Sequence, residues 1–184
     1  NPVGNCYGNS GNNQRIHLSR RSGRFLIDSL LRRPGDAISF VDEARMIDSV
    51  ADFSDRLNQL DPDDDAFVLH VDDLVEQTSP DTLEIAHSAI FRFFGTHPEN
   101  DCGMPGTLIH MMEDYYPNYV DDLVDSIGRT PSANAVLMVN RILNSDVDSD
   151  LHSRLIQCLR GASMNDSGSP LVKEEARRYL DRHA

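Results

Sequence analysis

The sequence predicts an all-α protein, and three observations carry that prediction. Apolar residues recur at helical intervals, as at Val50, Phe53, Leu57 and Leu60, whose steps are 3, 4 and 3. A Ser or Thr directly before Pro opens three such stretches, at Ser79-Pro80, Thr130-Pro131 and Ser169-Pro170. The hydroxyl caps free amides, and Pro fills a first-turn position whose own amide has no helical partner. Aliphatics are plentiful and Trp is absent, which suits helices better than a β-sandwich.

Taken in order, residues 1–24 show neither a helical nor an alternating period and are dominated by Asn, Gly, Ser and Arg. Short helices are expected over 25–31 and 36–45, divided by Pro34-Gly35. Met46 heads a plausible start of the core. The expected organisation is a basic leader or poorly ordered segment over 1–45 and a single all-helical domain over 46–184. A helix over 48–60 ends at Asp61-Pro62. Asp63, Asp64 and Asp65 then sit where acids favour a helix start, beside the positive end of its dipole. The stretch 66–77 places Phe67, Val71, Leu74 and Val75 on one face, although its β-branched residues also allow a strand.

The central stretch is a helix–loop–helix corner. A helix over 81–94, ending in Phe91, Phe93 and Phe94, is expected to stop at Gly95. A polar loop with His97-Pro98 follows, and Gly103-Met104-Pro105-Gly106 launches a helix over 107–115. Further helices are expected over 119–127, 132–143, 150–159 and 171–182. The capped prolines recur at about 40–50 residues, the period of HEAT-type helical solenoids. A short HEAT-like stack of antiparallel helix pairs is therefore expected, with an irregular helical bundle as the alternative.

The net charge of −13 is unevenly spread. Residues 1–45 hold seven Arg against four Asp and Glu, whereas residues 46–127 hold two Arg against 19. Residues 128–184 are nearly balanced, with eight Lys and Arg against seven acids. Such a field repels nucleic acid and speeds encounter with basic partners. The alternative is a solvated surface that serves solubility alone. Three widely spaced cysteines, Cys6, Cys102 and Cys158, suggest a reducing compartment. With no apolar run of spanning length and no signal-peptide pattern, the expected location is the cytoplasm.

No catalytic motif emerges. Asp61, Asp63 and Asp65 imitate a calcium loop, but Ala66 stands where its turn Gly belongs and Asp72 where its closing Glu belongs. The triplet Asp146, Asp148 and Asp150 fails in the same way, so both sets are read as cap acids. His87, His97, Cys102 and His110 match no zinc spacing. His97 is expected to cap or pack its loop, and His110 to satisfy a backbone carbonyl. There is no nucleophile elbow or phosphate cradle, and adjacent acids such as Asp121-Asp122 point about 100° apart on a helix. The chain is therefore expected not to be an enzyme, with no catalytic residue, metal or cofactor.

Two stretches resemble a known family: Phe94-Gly95-Thr96-His97-Pro98, and Gly103 through Glu113 (GMPGTLIHMME). Val136-Leu137-Met138-Val139-Asn140-Arg141-Ile142-Leu143-Asn144 adds a helix ending in Asn-Arg and an aliphatic pair. Over residues 46–184 the chain resembles small all-helical immunity proteins of bacterial polymorphic-toxin and contact-dependent inhibition systems. The resemblance implies neutralisation of a cognate toxin by direct binding. The acidic surface adds the expectation of a basic, nuclease-type toxin whose active site is blocked. The expected binding residues are Asp72, Asp73, Glu99, Asp101, Glu113, Asp114, Asp121 and Asp122, with Tyr115, Tyr116 and Tyr119 as amphipathic anchors. The alternative is a HEAT-like scaffold or adaptor without a toxin partner.

Overall fold

Local capping starts most of the helices in the computed structural model, which describes residues 46–183. The expected leader, its two short helices and Cys6 lie outside the described residues. Helix α1 (Val50–Leu57) begins at Ser49, whose hydroxyl accepts the Asp52 amide at 3.2 Å, and turns Phe53 and Leu57 inward. The next turn is organised by carboxylates: Asp61 accepts the Asp63 amide at 3.0 Å and Asp64 the Ala66 amide at 2.8 Å. These bonds shape the turn and do not cap the next helix, which begins after Ala66 without a side-chain cap. Residues 66–77 form helix α2 (Phe67–Glu76) rather than a strand. Among the described residues the only extended pairing is an isolated parallel bridge between Ile47 and Thr78.

The helix expected over 81–94 is two helices. Ser79 caps α3 (Pro80–Glu84), accepting the Thr82 amide at 3.3 Å with Pro80 in the first turn. The chain breaks at Ile85 and Ala86 before α4 (His87–Thr96) begins. The reason is tertiary. Ala89, Ile90, Phe91, Phe93 and Phe94 are all buried, so α4 is enclosed on several sides and packs against α1 and the later helices α6 (Val120–Arg129) and α7 (Ala133–Leu143). A continuous helix would have kept it on the axis of α3, which buries only Thr82 and Leu83. Full burial of each Phe contributes about 1.5–3 kcal/mol, which outweighs the break. Nor does Gly95 end α4, which runs on to Thr96. A Cβ at Gly95 would stand 3.4 Å from the Thr130 Cβ, an ordinary contact.

Helices α5 (Thr107–Glu113) and α6 (Val120–Arg129) follow. The cap of α7 (Ala133–Leu143) is Ser132, not the expected Thr130. Its hydroxyl accepts the Ala135 amide at 3.3 Å, leaving Pro131 just ahead of the cap. Asp148 caps α8 (Ser149–Met164), accepting the Asp150 and Leu151 amides at 2.9 and 2.8 Å. Ser169 accepts the Val172 amide at 3.3 Å at the start of α9 (Pro170–His183).

The described residues are all-α, with one hydrophobic cluster running from Ile47 to Tyr179. Phe67 of α2 and Phe93 of α4 lie with near-parallel rings, centroids 6.0 Å apart. Helix α7 is buried along nearly its whole length, and α8 and α9 make the most extensive helix pair. No helix among the described residues is long and apolar enough to cross a membrane.

Candidate functional site

The corner between α4 and α5 is held by polar stitches. His97 Nδ1 lies 3.0 Å from the Phe93 carbonyl and its ring rests on the Phe93 ring, so this histidine packs the loop as expected. The Asn100 amide donates to Asp63 at 2.7 Å, while its carbonyl accepts from Asn134 of α7 at 2.9 Å. Cys102 and Gly103 both take positive φ, 50° and 75°. The Asn100 and Asp101 side chains steady them by accepting the Cys102 and Gly103 amides at 2.8 and 2.9 Å. Gly106 is required by space, because a Cβ there would meet the Cys102 carbonyl oxygen at 2.7 Å. Burial pushes the Cys102 thiol up to about 12 and the Cys158 thiol up to about 11, far from a reactive thiolate.

The predicted binding acids separate into two kinds. Asp72, Glu113, Asp121 and Asp122 are occupied by partners on other helices. Asp72 accepts from Thr107, tying α2 to α5. Glu113 is held in a fork by Arg141 of α7, with Nη2 2.8 Å from Oε2. Asp121 pairs with Arg154 of α8 at 2.6 Å, and Asp122 lies 2.9 Å from His87 Nδ1. His110 departs from expectation: it is exposed and reaches the Glu113 side chain at 3.3 Å, not a backbone carbonyl. Asp73, Glu99, Asp101 and Asp114 have exposed side chains without an ion-pair partner among the described residues. The acids therefore form no single continuous ridge of free charge.

The three tyrosines also part company. Tyr119 is only 2% exposed and packs against Phe91, so it is a core residue and not the surface anchor expected. Burial raises its hydroxyl to about 12, with the Glu113 charge adding to the effect. Tyr116 is 45% exposed and meets the Tyr119 ring edge to face at 6.2 Å, so a buried ring backs an exposed one. Tyr115 is half-buried, its hydroxyl donating to the Pro80 carbonyl at 3.4 Å. Its pKa is raised first by burial and then by Glu84, Asp114 and Asp81.

Glu113, Tyr116 and Tyr119 converge with Arg141, Ile142, Ser145 and Asp146 on a cleft of about 370 Å³. Its chemistry is amphipathic. Tyr116 and Ile142 offer apolar surface, the Glu113–Arg141 pair is internally neutralised, and Asp146 keeps a free exposed charge. Such a cleft can seat the stem of a basic side chain against Tyr116 and pair its head with Asp146. Asp81, Glu84 and Asp146 were missed as site residues. Their only sequence signal is membership of the acidic runs, since their approach to Tyr115 and Tyr116 is set by packing. Comparison of the chain with family models, curated proteins and solved structures gives no match in any of the three.

Proposed function

We propose that this protein is an immunity-type inhibitor that binds and neutralises a basic cognate protein toxin. The carrying observation is the tyrosine shelf. Exposed Tyr116, backed by buried Tyr119, borders a cleft with the free acid Asp146, while Asp81, Glu84 and Asp114 surround Tyr115. Aromatic surface held rigid by the core and ringed by uncompensated carboxylates suits a basic protein partner. The expected residues Tyr115, Tyr116 and Asp114 keep their place in this reading, while Asp73, Glu99 and Asp101 supply outlying charge. Asp72, Glu113, Asp122 and Tyr119 support the scaffold beneath, and Asp121 pairs with Arg154 at the surface. The protein acts by binding rather than by catalysis, in the cytoplasm, where a nuclease-type toxin would meet its target. Neighbouring packing of α6 with α7, α7 with α8 and α8 with α9 supports a HEAT-like arrangement of this half.

The test is capture of basic proteins from the source cell at two salt concentrations, followed by assay of the captured protein for toxicity. The expected result is a toxic partner whose activity stops on complex formation and whose affinity falls with salt. Failure to capture a toxic protein, or affinity unchanged when Asp81, Asp114 and Asp146 become Lys, would overturn the proposal. A stable complex with a non-toxic partner would replace it with the adaptor reading.

A further inference from the structure

A second cleft, of about 390 Å³, lies between α4 and the end of α6 and has the opposite chemistry. Arg92 of α4 and Arg129 of α6 both line it, with Ser88 and Thr130 contributing hydroxyls. None of these four side chains donates to a protein group among the described residues, whereas Thr96 and Ser126 on the same wall already donate to Phe93 and Leu123 carbonyls. The setting makes this unusual. Residues 46–127 hold 19 acids and only two Arg, of which Arg56 pairs with Asp52. Yet Arg92 and Arg129 have no carboxylate within ion-pair distance among the described residues. The one acid on the wall, Asp122, is engaged by His87.

We propose that this cleft binds a phosphate-class oxyanion, free or as a phosphomonoester. Two guanidiniums supply planar, forked donors matched to tetrahedral oxyanion edges, and the two hydroxyls add neutral donors from other angles. Two Arg against one Asp leave the cleft locally positive inside an acidic segment, so binding depends on short-range contact rather than on the distant field. The cleft volume is that of a small-molecule site and exceeds the ion itself, leaving room for an ester substituent directed to solvent. Gly95, on the same wall, lies against Thr130. The inference is independent of the toxin-binding proposal, which concerns the other cleft.

The experiment is an amide-shift titration of the full chain with inorganic phosphate, against sodium chloride at matched ionic strength. Saturable shifts confined to 87–96 and 120–130 are expected, with O-phosphoserine competing for the same site. Arg92→Gln and Arg129→Gln should each weaken phosphate binding by about tenfold or more, the loss of one charged donor group. The exposed Arg160→Gln on α8 should leave it unchanged. Shifts that fail to saturate, an equal loss in Arg160→Gln, or acetate binding as well as phosphate would overturn the proposal. Both cleft arginines are exposed, so their replacement leaves folding intact and each result interpretable.

Discussion

Replacing Glu113 by Gln gives a direct measure of what the Glu113–Arg141 fork contributes, because the substitution keeps shape and removes charge. Both side chains are about one-third exposed, at 28% and 34%, so the pair is neither a screened surface contact nor a fully desolvated one. A forked, charge-assisted pair in that setting contributes about 1.5–2.5 kcal/mol. For a chain of this size that is a Tm lowered by roughly 3–10 °C. The hydrogen bond from Arg141 is the largest cause holding the Glu113 carboxyl below its ordinary value of 4.5. A depressed carboxyl pKa stabilises the fold above the unfolded-state value and loses that effect as pH falls through the folded-state value. Urea unfolding of wild type, Glu113→Gln, Arg141→Gln and the double variant should therefore show a coupling above 1 kcal/mol at pH 7. The difference between wild type and Glu113→Gln should shrink steadily as pH falls below about 4.5. A coupling under about 0.5 kcal/mol, or a penalty identical at pH 7 and pH 3, would refute the reasoning.

Tyr119→Ala should cost about 3–5 kcal/mol by opening a large cavity beside Phe91. Tyr116→Ala should cost under about 1 kcal/mol yet weaken partner binding tenfold or more, which equilibrium unfolding and titration of the complex separate. Ser132→Ala should lose about 1 kcal/mol by removing the α7 cap, whereas Thr130→Ala, one residue before Pro131, should stay within about 0.5 kcal/mol in the same unfolding assay. Gly106→Ala should destabilise by about 1–3 kcal/mol because its Cβ meets a backbone oxygen. Gly128→Ala and Gly161→Ala, both helical with nothing near the added carbon, should instead raise stability by about 0.5–1 kcal/mol. Thermal melts of the three alanine variants check both signs.

Helix class and most helix starts were legible in the chain because their causes are local. Ser79 and Ser169 cap in place, Asp61 and Asp64 shape the turn after α1, and the 3–4 spacing of Phe53 and Leu57 faces them inward. Gly103-Met104-Pro105-Gly106 does precede a helix, α5, as its punctuation suggested. What lay beyond the sequence depends on residues far away. Nothing near Ile85 announces a break, which follows from enclosing α4 between α1, α6 and α7. The choice of Ser132 over Thr130 depends on where α7 enters the core.

The sequence by itself determined the all-α class and an excess of acids between residues 46 and 127, since backbone capping, periodicity and charge are properties of neighbours in the chain. Tertiary structure alone decided which of those acids are free. Arg141, Arg154 and His87 take up Glu113, Asp121 and Asp122 across helix boundaries, while Asp81, Glu84 and Asp114 are left to the surface around Tyr115. It likewise drew Tyr119 inside and left Tyr116 outside, three residues apart in the turn between α5 and α6, because burial depends on what packs against each position and not on the residue that occupies it.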